Sequence, residues 1–122
     1  DDATKVTHIK NEILINRSLC HPNVLELICV FEDDQDVILV FEICHYRDVH
    51  SMLNAHKGLP LEQIVDIMKG ILTGLAYLHS QSIVHRDIKA ENLLIKDKED
   101  LTAVKISDFG VSNWIDSNGL TK

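Results

Sequence analysis

No apolar run in this chain approaches the length of a membrane span, and no signal peptide opens it. Positive charge is also in deficit. Twelve Lys and Arg stand against nineteen Asp and Glu, for a net charge of −7. That balance argues against nucleic acid or an anionic membrane surface as the main partner. Cysteine is scarce, odd in number and widely spaced: Cys20, Cys29 and Cys44 each fall in an apolar stretch. Buried thiols in a reducing compartment, cytoplasmic or nuclear, are therefore expected rather than disulfides. The seven histidines show no ligand spacing joined to cysteine or acid clusters, so His45, His50 and His56 read as surface residues. Internal repeats and low-complexity tracts are absent.

What is present is organised around one polar stretch, His85-Arg86-Asp87-Ile88-Lys89-Ala90-Glu91-Asn92. It lies between the apolar pair Ile83-Val84 and the apolar run Leu93-Leu94-Ile95, which predicts a loop held between two short buried strands. Sixteen residues past Asn92 comes Asp108-Phe109-Gly110, behind a third apolar segment, Val104-Lys105-Ile106. Each polar residue here, taken singly, is an ordinary surface charge or loop cap. Their joint order and spacing is what carries a signal.

The 122-residue chain as a whole, 45% apolar and 25% charged, has the composition of one globular unit. Residues 4–20 read as a helix, with Val6, Ile9, Ile13 and Cys20 on or near one stripe, interrupted by Asn16. His21-Pro22-Asn23 is expected to end it, because proline disfavours helical geometry at the residue before it. Residues 24–31 and 37–43 read as strands joined by an acidic hairpin tip at 32–36, which lacks the spaced ligands and glycine of a calcium loop. A short helix at 48–55 and a turn at Gly58 follow. Residues 61–80 form the clearest helix: Leu61, Ile64, Ile67, Met68, Ile71, Leu72, Leu75 and Leu78 recur at three- and four-residue steps behind Pro60. That face is expected to be core. Residues 93–95 and 104–106 read as a small hairpin, and the tail after Gly110 as a polar loop anchored by Trp114.

These motifs resemble the catalytic loop and the metal-binding Asp-Phe-Gly of a eukaryotic protein kinase domain, in the family's order, and the likeness covers essentially the whole chain. Lys89, two places after Asp87, resembles the serine/threonine type. The wording of both motifs is similar to the calcium/calmodulin-dependent and AMP-activated group. The resemblance implies an α+β, protein kinase-like fold, truncated. Residues 1–41 would be the remainder of the N-terminal lobe, 42–48 the hinge, and 49–122 the start of the helical C-terminal lobe. The catalytic loop would span 85–92, and the activation segment would begin at 108.

The cofactors implied are ATP and Mg²⁺, and the partners a Ser/Thr-bearing protein substrate and an upstream activating kinase. Phosphoryl transfer depends on positioning and charge neutralisation more than on covalent help. Asp87 would accept or orient the proton of the attacking hydroxyl, and Lys89 would stabilise charge on the transferred group. Asn92 and Asp108 would supply neutral and anionic oxygens to Mg²⁺. Gly110 would allow the sharp turn after the metal ligand. Phe41 matches the gatekeeper, Glu42 and Cys44 the hinge groups that hold adenine, Asp48 the ribose contact and Leu94 the pocket floor. Glu91 joins the ATP-binding set. Glu12 matches the helix C glutamate that pairs with the strand 3 lysine. Arg86 matches the arginine that binds an activation-loop phosphate. Leu27, Asn16 and Phe109 match positions of the regulatory spine.

The pattern departs from the family twice. The glycine-rich loop, the strand 3 lysine, the Ala-Pro-Glu segment and most of the C-terminal lobe are not in these 122 residues. The segment by itself is therefore expected to be inactive. Asn16 also stands where the family usually has an apolar spine residue. A pseudokinase or a truncated piece acting as a binding or scaffold module is the alternative.

Overall fold

A computed structural model of the chain describes residues 2–116 and 118. Its described elements are three helices and three two-stranded antiparallel ribbons, an α+β mix. Helix α1, Asp2–Ser18, leads through a loop into strands β1, Leu27–Glu32, and β2, Val37–Phe41. An extended stretch then reaches helix α2, Val49–His56, and the long helix α3, Leu61–Ser80. Four two-residue strands follow: β3, Ile83–Val84; β4, Leu93–Leu94; β5, Lys105–Ile106; and β6, Asn113–Trp114. No helix among the described residues is long and apolar enough to cross a membrane.

Helix α1 differs from its expected form. It ends at Ser18, before the proline, and the stripe proposed for it is largely wet: Val6 is 50% exposed, Ile9 38%, and Cys20 is exposed. Its buried residues are Ile15 and Asn16, followed by Leu19 just past the helix end. The interruption at Asn16 lies on the buried face, as its place on the stripe implies. The cysteines also depart from expectation. Cys20, in the loop after α1, is exposed, while Cys29, on the partly covered strand β1, and Cys44, just past β2, are half-buried.

The first strand begins later than its apolar run suggests. Val24 and Leu25 leave the β1–β2 ribbon and run beside β5: the Leu25 amide donates to the Ile106 carbonyl at 2.9 Å, and the Ile106 amide donates to the Asn23 carbonyl at 2.9 Å. At the hairpin tip, Asp33 Oδ1 accepts from the Gln35 and Asp36 amides, so the acidic run closes its own turn. Asp48 caps α2, with Oδ1 accepting from the Ser51 amide at 2.6 Å.

Helix α3 has the predicted bounds, but its apolar positions divide. Ile67, Ile71 and Leu78 are buried, whereas Leu61, Ile64, Met68 and Leu72 are exposed. The dry face meets the turn at residues 101–103 and strand β5 through two glycines. A Cβ on Gly70 would lie 2.5 Å from the Thr102 carbonyl oxygen and 2.5 Å from Val104 Cγ1. At Gly74 it would lie 2.9 Å from Ile106 Cδ1 and 3.0 Å from the Asn23 carbonyl oxygen. Against these glycines sits the buried Asn23, whose Nδ2 donates to the carbonyls of Thr102 at 2.8 Å and Val104 at 2.9 Å. The tail also departs from its loop expectation: β6 pairs with β3, Ile83 opposite Trp114, and the Ile115 amide donates to the Ser82 carbonyl at 2.8 Å.

Replacing a helical glycine by alanine ordinarily stabilises a helix by about 1 kcal/mol. At Gly70 the opposite sign is expected, a loss of about 1–3 kcal/mol from overpacking. Urea midpoints of the chain and of Gly70→Ala check this; an unchanged or raised midpoint contradicts the close approach.

Candidate functional site

Two loops meet at Ser107. Its amide donates to the Asn92 carbonyl at 2.9 Å, and its hydroxyl donates to the same oxygen at 2.9 Å. Its own carbonyl lies 2.8 Å from His85 Nε2. His85 is buried; its Nδ1 accepts from the Asp87 amide at 3.1 Å, which makes Nε2 the protonated nitrogen that donates to Ser107. One serine and one histidine thus tie residues 85–92 to the turn at 107–110. Phe109, 2% exposed, meets the His85 ring edge-on at 4.9 Å between centroids.

Within the first loop, Asn92 Nδ2 donates to the Asp87 carbonyl at 3.0 Å and to Asp87 Oδ2 at 3.2 Å. The Asp87 carboxylate is therefore oriented, and Asn92 Oδ1 is the end of the amide left for a cation. Lys89 Nζ lies 3.7 Å from Asp87 Oδ2, with both side chains open to solvent. In the second loop Asp108 takes the left-handed conformation, φ +62°, and its Oδ1 accepts from the Gly110 amide at 3.2 Å. The unusual backbone thus falls on Asp108 rather than on Gly110. What glycine provides is room, since a Cβ there would sit 3.1 Å from Asp108 Oδ1. Arg86 is also left-handed, φ +71°, and its Nε donates to the Val111 carbonyl at 2.6 Å.

No three His, Cys, Asp or Glu side chains among the described residues converge on a metal position. Mg²⁺ is usually held by one or two carboxylates together with phosphates and water. Asp108 offers a carboxylate and Asn92 an amide oxygen. Glu12, on α1, adds to the negative side. Burial first, and then the charge of Asp108, push its carboxyl above the usual range.

Farther along, Phe41 and Leu94 are half-buried. The Glu42 amide donates to the Glu26 carbonyl at 3.0 Å. Among the described residues neither the Glu42 carbonyl nor the Cys44 amide takes part in a backbone hydrogen bond. Burial, then the Glu42 charge, pushes the Cys44 thiol up. Asp48 is engaged in its helix cap, and Glu91 Oε1 lies 3.2 Å from His50 Nδ1.

The sequence profile described as "Protein kinase domain" matches residues 1–122. The chain belongs to the protein kinase family. Among its kinase relatives are calcium-dependent protein kinase 5 of Plasmodium berghei, 36% identical over 108 residues (88% of this chain, 19% of that protein). Serine/threonine-protein kinase PLK4 of Xenopus laevis is 39% identical over 111 residues (90% and 11%). Probable serine/threonine-protein kinase KCC4 of Saccharomyces cerevisiae is 36% identical over 112 residues (92% and 10%). The chain spans between a tenth and a fifth of the length of these relatives.

The two kinase loops that the spacing brought together are joined in space. Ser107, which does the joining, drew no notice in the sequence, although a hydroxyl directly before Asp108 was a readable sign. Asn23 was read only as a helix stop. Lys105 was read as part of an apolar strand; a lysine inside such a triplet signals a buried partner.

Asn16 is 3% exposed; its Nδ2 donates to the Glu12 carbonyl at 2.9 Å, while its Oδ1 is buried without a partner among the described residues. Relieving that acceptor in Asn16→Leu is expected to stabilise the chain by about 1–3 kcal/mol, read from denaturant midpoints. No gain means that the amide finds water. Glu12 supplies a second expectation with a definite sign. Its folded pKa is raised, so any stability it contributes is present below its ordinary value of 4.5 and lost as pH rises through the folded value. Glu12→Gln should therefore raise the melting temperature at pH 7 and lose that advantage near pH 4, compared in thermal melts at the two pH values.

Proposed function

We propose that this chain is the hinge and catalytic-loop portion of an ATP- and Mg²⁺-dependent protein serine/threonine kinase, which transfers the γ-phosphate of ATP to a Ser or Thr hydroxyl of a protein. The observation that carries this is the Asp87 carboxylate held by the Asn92 amide, with Lys89 beside it and Asp108 fixed nearby through Ser107.

In this reading Asp87 meets the incoming hydroxyl and accepts or orients its proton. Lys89 is close enough to move from Asp87 to a phosphate oxygen as negative charge builds there. Asn92 Oδ1 and the Asp108 carboxylate would hold the metal, whose charge would neutralise the phosphates. The Glu42 carbonyl and the Cys44 amide offer one acceptor and one donor to an adenine edge, with Phe41 and Leu94 lining the pocket. Residues 42–48 form the hinge between residues 1–41 and residues 49–122. Asp48 can reach a ribose only with the carboxylate edge its helix cap leaves over, and Glu91 only by leaving His50. Glu12 would accept a lysine from outside the chain. Arg86, beside the start of the activation segment, is suited to a phosphate placed there by an upstream kinase. Asn16, Leu27 and Phe109 would be the spine positions around which α1 seats. The unpartnered Asn16 oxygen is the one feature that favours a scaffold without transfer.

Two substitutions in the full-length protein separate transfer from binding. Asp87→Asn is expected to lower kcat by roughly 10²–10⁴-fold with little change in nucleotide affinity. Asp108→Asn should also weaken Mg²⁺-dependent nucleotide binding, measured by titration with and without the metal. Near wild-type turnover in Asp87→Asn would remove the role assigned to it.

A further inference from the structure

In the segment 42–48, the Glu42 carboxylate gathers three parts of the chain. Its Oε1 lies 2.9 Å from Lys105 Nζ and accepts from the Glu26 amide at 3.0 Å. Its Oε2 lies 3.2 Å from Lys96 Nζ. Glu26 precedes β1, Lys96 follows β4, and Lys105 lies on β5, three residues before Asp108.

This is not an ordinary surface pair. The Glu42 and Lys105 side chains are only 13% and 10% exposed. A lysine so placed would be costly without its partner, and a carboxylate so placed would be costly without a cation. Burial alone would raise the Glu42 carboxyl, but Lys105, the Glu26 amide and Lys96 outweigh it and hold the group below its usual range. The carboxylate is therefore ionised and fixed at neutral pH.

We infer that Lys105, with help from Lys96, is a positioning residue: through the Glu42 carboxylate it pins segment 42–48 and fixes where the Glu42 carbonyl and Cys44 amide point. This rests on the nucleotide reading above for its consequence, but not for its geometry. Without the pin, segment 42–48 samples more arrangements, and the fraction competent for binding falls. Apparent affinity falls by that same fraction. The chemistry at Asp87 lies elsewhere, so turnover at saturating nucleotide is spared.

Two measurements test the pin. In the full-length protein, Lys105→Met is expected to weaken ATP binding roughly five- to tenfold while kcat at saturating ATP stays within about twofold. Lys105→Arg should restore most of the affinity. Lys96→Met should cost less, since its side chain is half exposed. Amide hydrogen exchange of the full-length protein without nucleotide should quicken at residue 26 and across 42–47 in Lys105→Met. Unchanged exchange overturns the inference. So does unchanged ATP affinity, or a joint fall of kcat, affinity and melting temperature, which marks a general loss of fold. If the wild-type protein binds no ATP, the nucleotide reading falls instead, and the exchange data alone decide whether the segment is pinned.

Discussion

The hydrogen bonds of Ser107 are the constraint on which the rest of the site depends. One residue presents three polar groups, and all three are spent on the loop at 85–92: two on the Asn92 carbonyl and one on His85. Because His85 in turn accepts from the Asp87 amide, the backbone that carries Asp87 is fixed by the residue next to Asp108. The strained backbone at Asp108 and Arg86 is tolerable only inside such an over-determined frame. The frame is buried, whereas Asp87, Lys89 and Asp108 are at least partly open to solvent. Rigidity and access are thus divided between neighbouring residues.

Most of the elements were legible because hydrophobic period and turn residues report them directly. Helix α3 has its expected bounds, and the two short strands at Leu93 and Lys105 pair as the spacing suggests. Burial was less legible. The periodicity of α1 marked Val6 and Ile9, yet the dry residues are Ile15, Asn16 and Leu19. A helix's period tells which residues share a face, but not how far along its length a neighbour covers it. Helix α3 shows the same limit, since its apolar repeat runs on past the part that Val104 and Ile106 cover. The β3–β6 pairing was illegible for another reason: two residues are too few to show an alternation.

The site divides in a similar way. Charged residues at fixed spacing announced Asp87, Lys89, Asn92 and Asp108 as a group. The residues that hold them are less conspicuous. Asn23, Ser107 and Lys105 act largely through backbone partners or partners distant in sequence, and only a fold can supply those. Asp48 and Glu91 illustrate the converse: each is engaged locally, one as a helix cap and one with His50.

The place of Asn23 also carries a consequence for the order in which the chain can become structured. Its side chain is bonded to carbonyls 79 and 81 residues further on, and Val24 lies beside Ile106. At ribosomal speeds of about 5–20 residues per second, those partners emerge roughly 4–16 s after Asn23 does. During that interval residues 23–25 have no β5 to pair with. Helix α3, made midway, must also keep Gly70 and Gly74 uncovered until residues 102–106 arrive. The nascent chain therefore waits with its two most closely fitted surfaces bare, and a holding chaperone acting before residue 106 is made would find them there.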